Sequence, residues 1–96
     1  PVANPDFATT PRNTAVTINL AANDEDPDGN LDPTSVTLTT TTSSRGGTIL
    51  NLGNGSVVYE PRRNFRGTDT FTYTISDTGV PVLTSDPATV TVNVVR

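Results

Sequence analysis

The segment Ala88-Thr89-Val90-Thr91-Val92-Asn93-Val94 alternates apolar and polar side chains without a break. Successive side chains of a β-strand point to opposite faces, so this period of two predicts a strand with one face in a hydrophobic core and the other in water. Phe71-Thr72-Tyr73-Thr74-Ile75 repeats the pattern. No part of the chain shows a convincing apolar stripe at helical spacing. The sequence therefore predicts an all-β domain.

Working outward from these two segments, the same alternation and the turn residues between runs predict seven strands. Their predicted ranges are residues 6–10, 15–20, 35–40, 48–52, 56–60, 69–76 and 88–95. The Asn54-Gly55 pair favours a hairpin between the fourth and fifth strands. Seven short strands in 96 residues are typical of one immunoglobulin-like Greek-key β-sandwich, which we expect to fill residues 1–96 as a single domain. With no Cys-Trp-Cys pattern, it is not an antibody-type domain.

Composition excludes several classes of function. A net charge of −4 and the lack of lysine argue against nucleic-acid binding. Without histidine or cysteine, the chain cannot assemble a serine or cysteine triad or a histidine acid–base pair, so we expect no enzyme. Disulfides are also impossible, so any additional stabilisation of this small domain must come from a bound metal ion or a neighbouring module. No run is long enough for a membrane helix. The chain begins at Pro1 rather than methionine, so we expect a piece of a longer or processed protein.

The stretch Asn23-Asp24-Glu25-Asp26-Pro27-Asp28-Gly29 lies between the second and third predicted strands. Aspartates at alternate positions before a glycine can turn several oxygens toward one centre, and hard oxygen ligands select Ca²⁺. The loop is not a helix-flanked calcium loop, because its twelfth position is Ser35 instead of glutamate. A calcium loop in a β-protein is our prediction. A solvated turn is the alternative, since Asp, Asn, Pro and Gly are ordinary turn residues.

Strands that run alternately up and down sort the charges to opposite ends of the sandwich. Eight acids fall at the N-terminal end: Asp6, Asp24, Glu25, Asp26, Asp28, Asp32, Asp77 and Asp86. All six arginines fall at the other end: Arg12, Arg45, Arg62, Arg63, Arg66 and Arg96, together with Glu60 and Asp69. Crowded like charges repel unless something offsets them. We expect this repulsion to be offset by a cation bound near Asp24, Asp26 and Asp28, with Asp6 and Asp77 as supporting acids, or by the arginine end of a neighbouring copy. The alternative is that the surface acids are distributed by chance.

A series of landmarks resembles a known family, the cadherin-like immunoglobulin-fold repeats of large bacterial surface adhesins. The landmarks are Pro1-Val2-Ala3-Asn4-Pro5-Asp6, the acidic stretch after Val16-Thr17-Ile18-Asn19-Leu20, Gly55-Ser56-Val57-Val58-Tyr59-Glu60-Pro61, the run from Asn64-Phe65-Arg66-Gly67 to Ser76-Asp77, and the last strand. Together they span essentially the whole chain. The family usually continues into a short linker before its next Pro-x-Ala, whereas this chain stops at Val95-Arg96.

The resemblance implies an extracellular, non-enzymatic module that is repeated in tandem, extends an adhesive tip from a cell surface and is stiffened by Ca²⁺ at its joints. The implied calcium ligands are Asp6, Asn23, Asp24, Asp26, Asp28 and Asp77. The charge map predicts that four arginines lie at the opposite joint: Arg62, Arg63, Arg66 and Arg96. The resemblance implies that Asp69 serves the same joint. Tyr73 is expected to be a core residue whose hydroxyl bonds to the connection before its own strand, as in a tyrosine corner.

Two other functions remain open at this stage. One is a subunit that assembles head to tail into an extracellular filament, because a heterologous contact that does not close gives an open fibre. The other is a carbohydrate-binding module, although such modules expose rows of aromatic side chains and this chain has two tyrosines and three phenylalanines. Asn54-Gly55-Ser56 is an N-glycosylation acceptor and residues 39–44 are an O-glycan candidate; a tight turn and a polar strand end are the respective alternatives.

Overall fold

The computed structural model describes residues 1–27 and 29–96. Seven strands are assigned there: β1 Asp6–Pro11, β2 Val16–Asn19, β3 Leu31–Leu38, β4 Thr48–Asn51, β5 Ser56–Glu60, β6 Gly67–Asp77 and β7 Ala88–Val95. One 3₁₀ turn, Ala21–Asn23, follows β2. None of the helical structure described is long and apolar enough to cross a membrane.

The strands form two sheets that pack as a β-sandwich, and the predicted all-β immunoglobulin-like fold is confirmed. One sheet has the order β1-β7-β6-β3 and the other β2-β5-β4. β1 pairs with β7 in parallel, whereas the remaining pairs are antiparallel. β4 and β5, like β6 and β7, are consecutive strands paired in one sheet, whereas the four other connections pass from one sheet to the other as Greek-key connections do.

The predicted ranges of β5 and β7 are correct, whereas β3 begins earlier than predicted. Its first residues pair with the end of β6, Leu31 with Asp77 and Asp32 with Ser76, and the register then shifts before Thr37 pairs with Thr74. A shift of this kind breaks the period of two. Asp32-Pro33 also has the composition of a turn, so the sequence pattern concealed this part of the strand.

The alternating apolar residues face each other between the sheets. Ile18, Leu20, Val36, Phe71, Ile75, Ala88, Val90, Val92 and Val94 are buried there with Ile49, Val57, Tyr59 and Tyr73. The rings of Tyr59 and Phe71 stack with centroids 6.2 Å apart. Burying a large apolar side chain contributes about 1.5–3 kcal/mol, so these layers supply the main stabilisation of the domain.

Contacts between loops agree with the predicted sorting of connections to two ends. At one end Val2 N donates to Glu25 O at 2.6 Å, Leu20 N to Gly55 O at 2.9 Å and Thr78 N to Asn30 O at 2.9 Å. We call this end the acidic pole; its described part comprises residues 1–5, 20–27, 29–30, 52–55 and 78–87, with the acids at the adjoining strand ends.

The other end, the arginine pole, comprises residues 12–15, 39–47, 61–66 and the end of β7. There Asn64 N donates to Asn13 Oδ1 at 2.8 Å, and Arg12 N donates to Val95 O at 2.6 Å. The Cα atoms extend over 45 × 19 × 18 Å. The chain thus enters an elongated body at the acidic pole and leaves it at the arginine pole.

Candidate cation site and the two poles

Tyr73 organises one part of the acidic pole. Its fully buried ring lies in the core, and its hydroxyl donates to Asp24, 2.8 Å from either carboxylate oxygen. The backbone N–H of Asn4 donates to the same carboxylate at 2.8 Å. Burial is the main cause that raises the pKa of Tyr73 above its usual value, and the hydrogen bond to Asp24 is the second. The phenol therefore stays a hydrogen-bond donor that holds Asp24 in place.

The tyrosine-corner prediction for Tyr73 is wrong. The hydroxyl bonds to the connection between β2 and β3, with Leu20 O also 3.3 Å away, rather than to the connection between β5 and β6. β6 runs toward the acidic pole, so a side chain in its second half reaches that pole. The periodicity predicted the buried ring but not the partner of its hydroxyl.

Asp6 is the second carboxylate of this part of the pole. It is 7 % exposed, and its Oδ2 is buried with no hydrogen-bond partner in the described part of the chain. Burial raises the pKa of Asp6 to about 6; polar contacts with Tyr73 and Asn23 oppose the shift, and the Asp24 charge adds to it. A buried oxygen without a partner, beside a second carboxylate, is an environment that a cation would stabilise.

Asn23 ties the segment before β1 to this loop. Its Nδ2 donates to Pro5 O at 3.0 Å, and Asn4 Nδ2 donates to Asn23 O at 2.6 Å. These bonds bring the β1 end that carries Asp6 to the acidic loop. Three of the six predicted ligands, Asp6, Asn23 and Asp24, are therefore brought together by the fold.

Asp77 and Asp26 lie in a different setting. Asp77 Oδ1 accepts the backbone N–H groups of Leu83 and Gly79, each at 3.0 Å, and these bonds, with that of Leu83 first, hold the pKa of Asp77 below its usual value. Asp26 Oδ2 lies 4.0 Å from the backbone nitrogen of Pro1. Asp77 thus shapes the loop between β6 and β7.

The predicted ligands are consequently divided. Asp28 lies outside the described residues. Among residues 1–27 and 29–96, no three or more acids form a group arranged to hold a metal ion. Oxygen donors of the right chemistry for Ca²⁺ are present at Asp6 and Asp24. The calcium site remains a prediction.

Asp69 is not available as a joint contact, which corrects the prediction made for it. It is 1 % exposed and accepts hydrogen bonds from five donors. They are the hydroxyls of Tyr59, Ser43 and Ser44 and the backbone N–H groups of Arg45 and Thr70. Burial acts to raise the pKa of Asp69, but the bonds from Ser43, Tyr59, Arg45 and Ser44 outweigh it and lower the pKa below its usual value.

This buried carboxylate network was missed by the sequence reasoning. Asp69 has the same parity as Phe71, Tyr73 and Ile75, so the alternation itself assigns it to the inward face. A buried carboxylate must be satisfied by hydrogen bonds. Three of the donors, Ser43, Ser44 and Arg45, come from the loop between β3 and β4, which Asp69 secures to the body of the domain.

The four remaining joint residues lie on the surface of the arginine pole. Arg62, Arg63, Arg66 and Arg96 are exposed, and within the described ranges none of them forms a salt bridge. The Arg62 guanidinium lies 5.8 Å from the centre of the Phe65 ring. Beside it is a groove of about 650 Å³ lined by Arg62, Phe65, Arg66, Val94, Val95 and Arg96. These cations are free to meet acids of another molecule.

The candidate glycosylation sites are exposed. Asn54 lies at the hairpin tip, and its Oδ1 accepts the Ser56 N–H at 3.1 Å. Residues 39–42 are exposed as well, but Ser43 is buried, and its hydroxyl is bonded to Asp69. Glycosylation remains a prediction for Asn54, the four threonines and the exposed Ser44, and Ser43 is withdrawn from the O-glycan segment.

Residues 1–93 match the family of the bacterial Ig domain. This chain belongs to that family. No curated protein is similar to it.

The solved structures similar to this bacterial Ig domain include the following two. A nucleoside hydrolase-related hypothetical protein from Saccharophagus degradans, described as associated with carbohydrate metabolism, is 22 % identical over 93 % of this chain and 22 % of its own, with a TM-score of 0.61. The protocadherin GammaB4 extracellular domain is 18 % identical over 93 % of this chain and 15 % of its own, with a TM-score of 0.49. The chain thus spans about a fifth of the first of these proteins and less of the second. The first likeness supports the sandwich fold alone.

Proposed function

We propose that this bacterial Ig domain is a non-enzymatic structural module of an extracellular surface adhesin, repeated in tandem and stiffened by Ca²⁺, which extends an adhesive region away from the cell. Membership of a family whose domains are typically extracellular and generally non-enzymatic supports the proposal. The observation that carries it is the placement of the two chain ends at opposite poles of a 45 Å body. Modules connected in this way lie end to end along their long axes, so each added copy lengthens the array.

The charges of the poles favour end-to-end contact. Arg62, Arg63 and Arg66 of one copy would face the acidic pole of the next, where Glu25 and Asp86 are exposed. Exposed ion pairs contribute only about 0.2–1 kcal/mol each. Several simultaneous pairs, or a bound cation, must therefore supply the rigidity.

Calcium is the proposed stiffening ion. Asp6, Asn23 and Asp24 would hold it, with Asp26, Asp28 and Asp77 as the neighbouring acids. The ion would supply positive charge and oxygen coordination. The buried Asp6 Oδ2, which lacks a hydrogen-bond partner in the described chain, is the observation that supports a cation here.

The carbohydrate-binding alternative gains no support from the aromatic residues, all five of which are described. Phe7 is exposed, Phe65 is half-buried, and Phe71, Tyr59 and Tyr73 are buried. A stacking platform for sugars needs neighbouring exposed rings. Phe7 has no exposed aromatic partner with which to build one.

Small-angle scattering from three fused copies tests the polar joint. Arg62→Glu, Arg63→Glu and Arg66→Glu in every copy should leave each domain folded and reduce the maximum dimension of the array at low salt. Thr17→Glu, Thr37→Glu and Thr89→Glu, at exposed strand positions away from the poles, form the matched control. Equal dimensions for the arginine variant and the wild type at both low and high salt would exclude this joint.

Thermal melting tests the calcium proposal separately. Ligand binding to the folded state alone stabilises by about 2.7 kcal/mol at a hundredfold excess over the dissociation constant. For a domain of this size we expect Tm to rise by about 10–20 °C between EDTA and that calcium concentration. The measurement is made on one copy and on three fused copies, so that a site completed by a neighbour is included. Identical melting in both proteins would refute calcium binding.

A further inference from the structure

The loop between β6 and β7 exposes a run of apolar side chains at the acidic pole. Val80 is 101 % exposed, Val82 62 % and Leu83 54 %, and we call these three residues the apolar tip. The loop is held by the backbone of Leu83, whose N–H donates to Asp77 Oδ1 at 3.0 Å and whose carbonyl accepts Asp77 N–H at 3.0 Å. Adjacent exposed apolar residues on a held loop indicate a contact surface.

The groove at the arginine pole has a complementary composition. Phe65 and Val95 supply its apolar side chains, and Arg62, Arg66 and Arg96 supply its positive charge. An apolar centre inside a polar rim is the usual composition of a protein interface.

The tip and the groove lie at the two ends of one strand pair. Gly67 pairs with Val94 at the end that borders the groove, and the loop with the tip joins the other ends of β6 and β7. A second copy displaced along these strands therefore brings its tip to the groove of the first. The same displacement places Asp86, exposed in the tip loop, near the arginine rim.

We propose that the apolar tip of one copy docks into the groove at the arginine pole of the preceding copy, with Val82 and Leu83 against Phe65 and Val95. The occupant is a second copy of this chain, because the charge of its tip loop is opposite to that of the groove rim. The inference rests on the proposed end-to-end arrangement. It adds the contact that sets how each module is rotated relative to the next.

Disulfide trapping in two fused copies tests the docking, and the native chain has no cysteine to interfere. One protein carries Val95→Cys in the first copy and Val82→Cys in the second. The control protein carries Val95→Cys in the first copy and Leu52→Cys in the second. Leu52 lies at the acidic pole, as Val82 does, and is 44 % exposed. The docked arrangement should close the first disulfide several-fold faster than the second. Val80→Ser with Leu83→Ser in the second copy should remove that advantage, whereas Leu50→Ser, on an exposed strand position, should preserve it.

The outcomes separate the two proposals. Equal rates for the two cysteine pairs would leave the poles in contact but overturn the docking of the tip. Failure of both pairs to close would overturn the docking together with the end-to-end arrangement. An advantage that persists after Val80→Ser and Leu83→Ser would show that the apolar side chains do not hold the joint, and would also overturn the inference.

Discussion

The carboxylate of Asp69 should be the most sensitive single position in the domain, and Asp69→Ala is the informative change. Five donors lose their acceptor. Two of them, the hydroxyls of Tyr59 and Ser43, belong to buried residues and cannot turn to water. Each buried donor left without a partner costs about 1–3 kcal/mol, so we expect a loss of about 4 kcal/mol in unfolding free energy. That is a large part of the ~5–15 kcal/mol available to a domain.

Urea unfolding followed by circular dichroism measures this loss, and thermal melting should show a decrease of about 15–30 °C. Tyr59→Phe removes one donor and leaves the other four bonds, so it should cost about 1.5–3 kcal/mol and keep the protein foldable. Glu60→Gln, an exposed neighbour, should stay within about 0.5 kcal/mol of the wild type. An Asp69→Ala protein as stable as Glu60→Gln would refute the role given to this carboxylate.

The sign of the pH dependence follows from the lowered pKa of Asp69. A carboxyl whose pKa is lower in the folded state contributes stability above its unfolded pKa, near 3.8, and that contribution is lost as pH falls through the folded value. The stability difference between wild type and Asp69→Asn should therefore be constant from about pH 5 to pH 8 and shrink below about pH 4. A difference that grows on acidification would contradict this assignment.

Three further results are expected. Asp6→Asn should raise Tm in EDTA at pH 7, because it removes a buried charge with an unsatisfied oxygen, and should reduce the response to Ca²⁺; a lower Tm with an unchanged calcium response would contradict both points. Gly47→Ala should cost about 1–3 kcal/mol, since its Cβ would lie 2.8–2.9 Å from three neighbouring atoms, and a melting curve that coincides with the wild type would count against the packing described. Intact mass of the protein from its native source should exceed that of the bare polypeptide if Asn54 carries a glycan, and an equal mass would exclude it.

The family and fold could be predicted in some detail before the structure because their signals are local. The alternation in β6 and β7 gave the buried faces, and the Asn54-Gly55 pair gave the hairpin. The bulged start of β3 was missed for the opposite reason: its pairing with β6 depends on a strand far along the chain, and Asp32-Pro33 locally has the composition of a turn.

The candidate sites were less predictable, because sequence spacing does not state which oxygen each donor reaches. Asp24 and Asp26 were predicted as ligands and Asp77 as a supporting acid, yet Asp24 accepts from Tyr73, Asp26 lies near the Pro1 nitrogen, and Asp77 binds the backbone of its own loop. Asp69 was predicted at a joint and is buried. Its parity with Phe71 carried that information, but its five donors could not be read from the sequence.

By itself, the sequence determined the strands, the apolar faces, the division of charge between the poles and the exclusion of histidine or cysteine chemistry. These properties follow from residue type and from the two-residue period of an extended chain. Only the tertiary structure decided which carboxylates are buried, which are satisfied, and that an apolar tip and a groove lie at opposite ends of one strand pair. Burial and hydrogen bonding depend on which distant segments meet, and that is settled when the two sheets close on their common core.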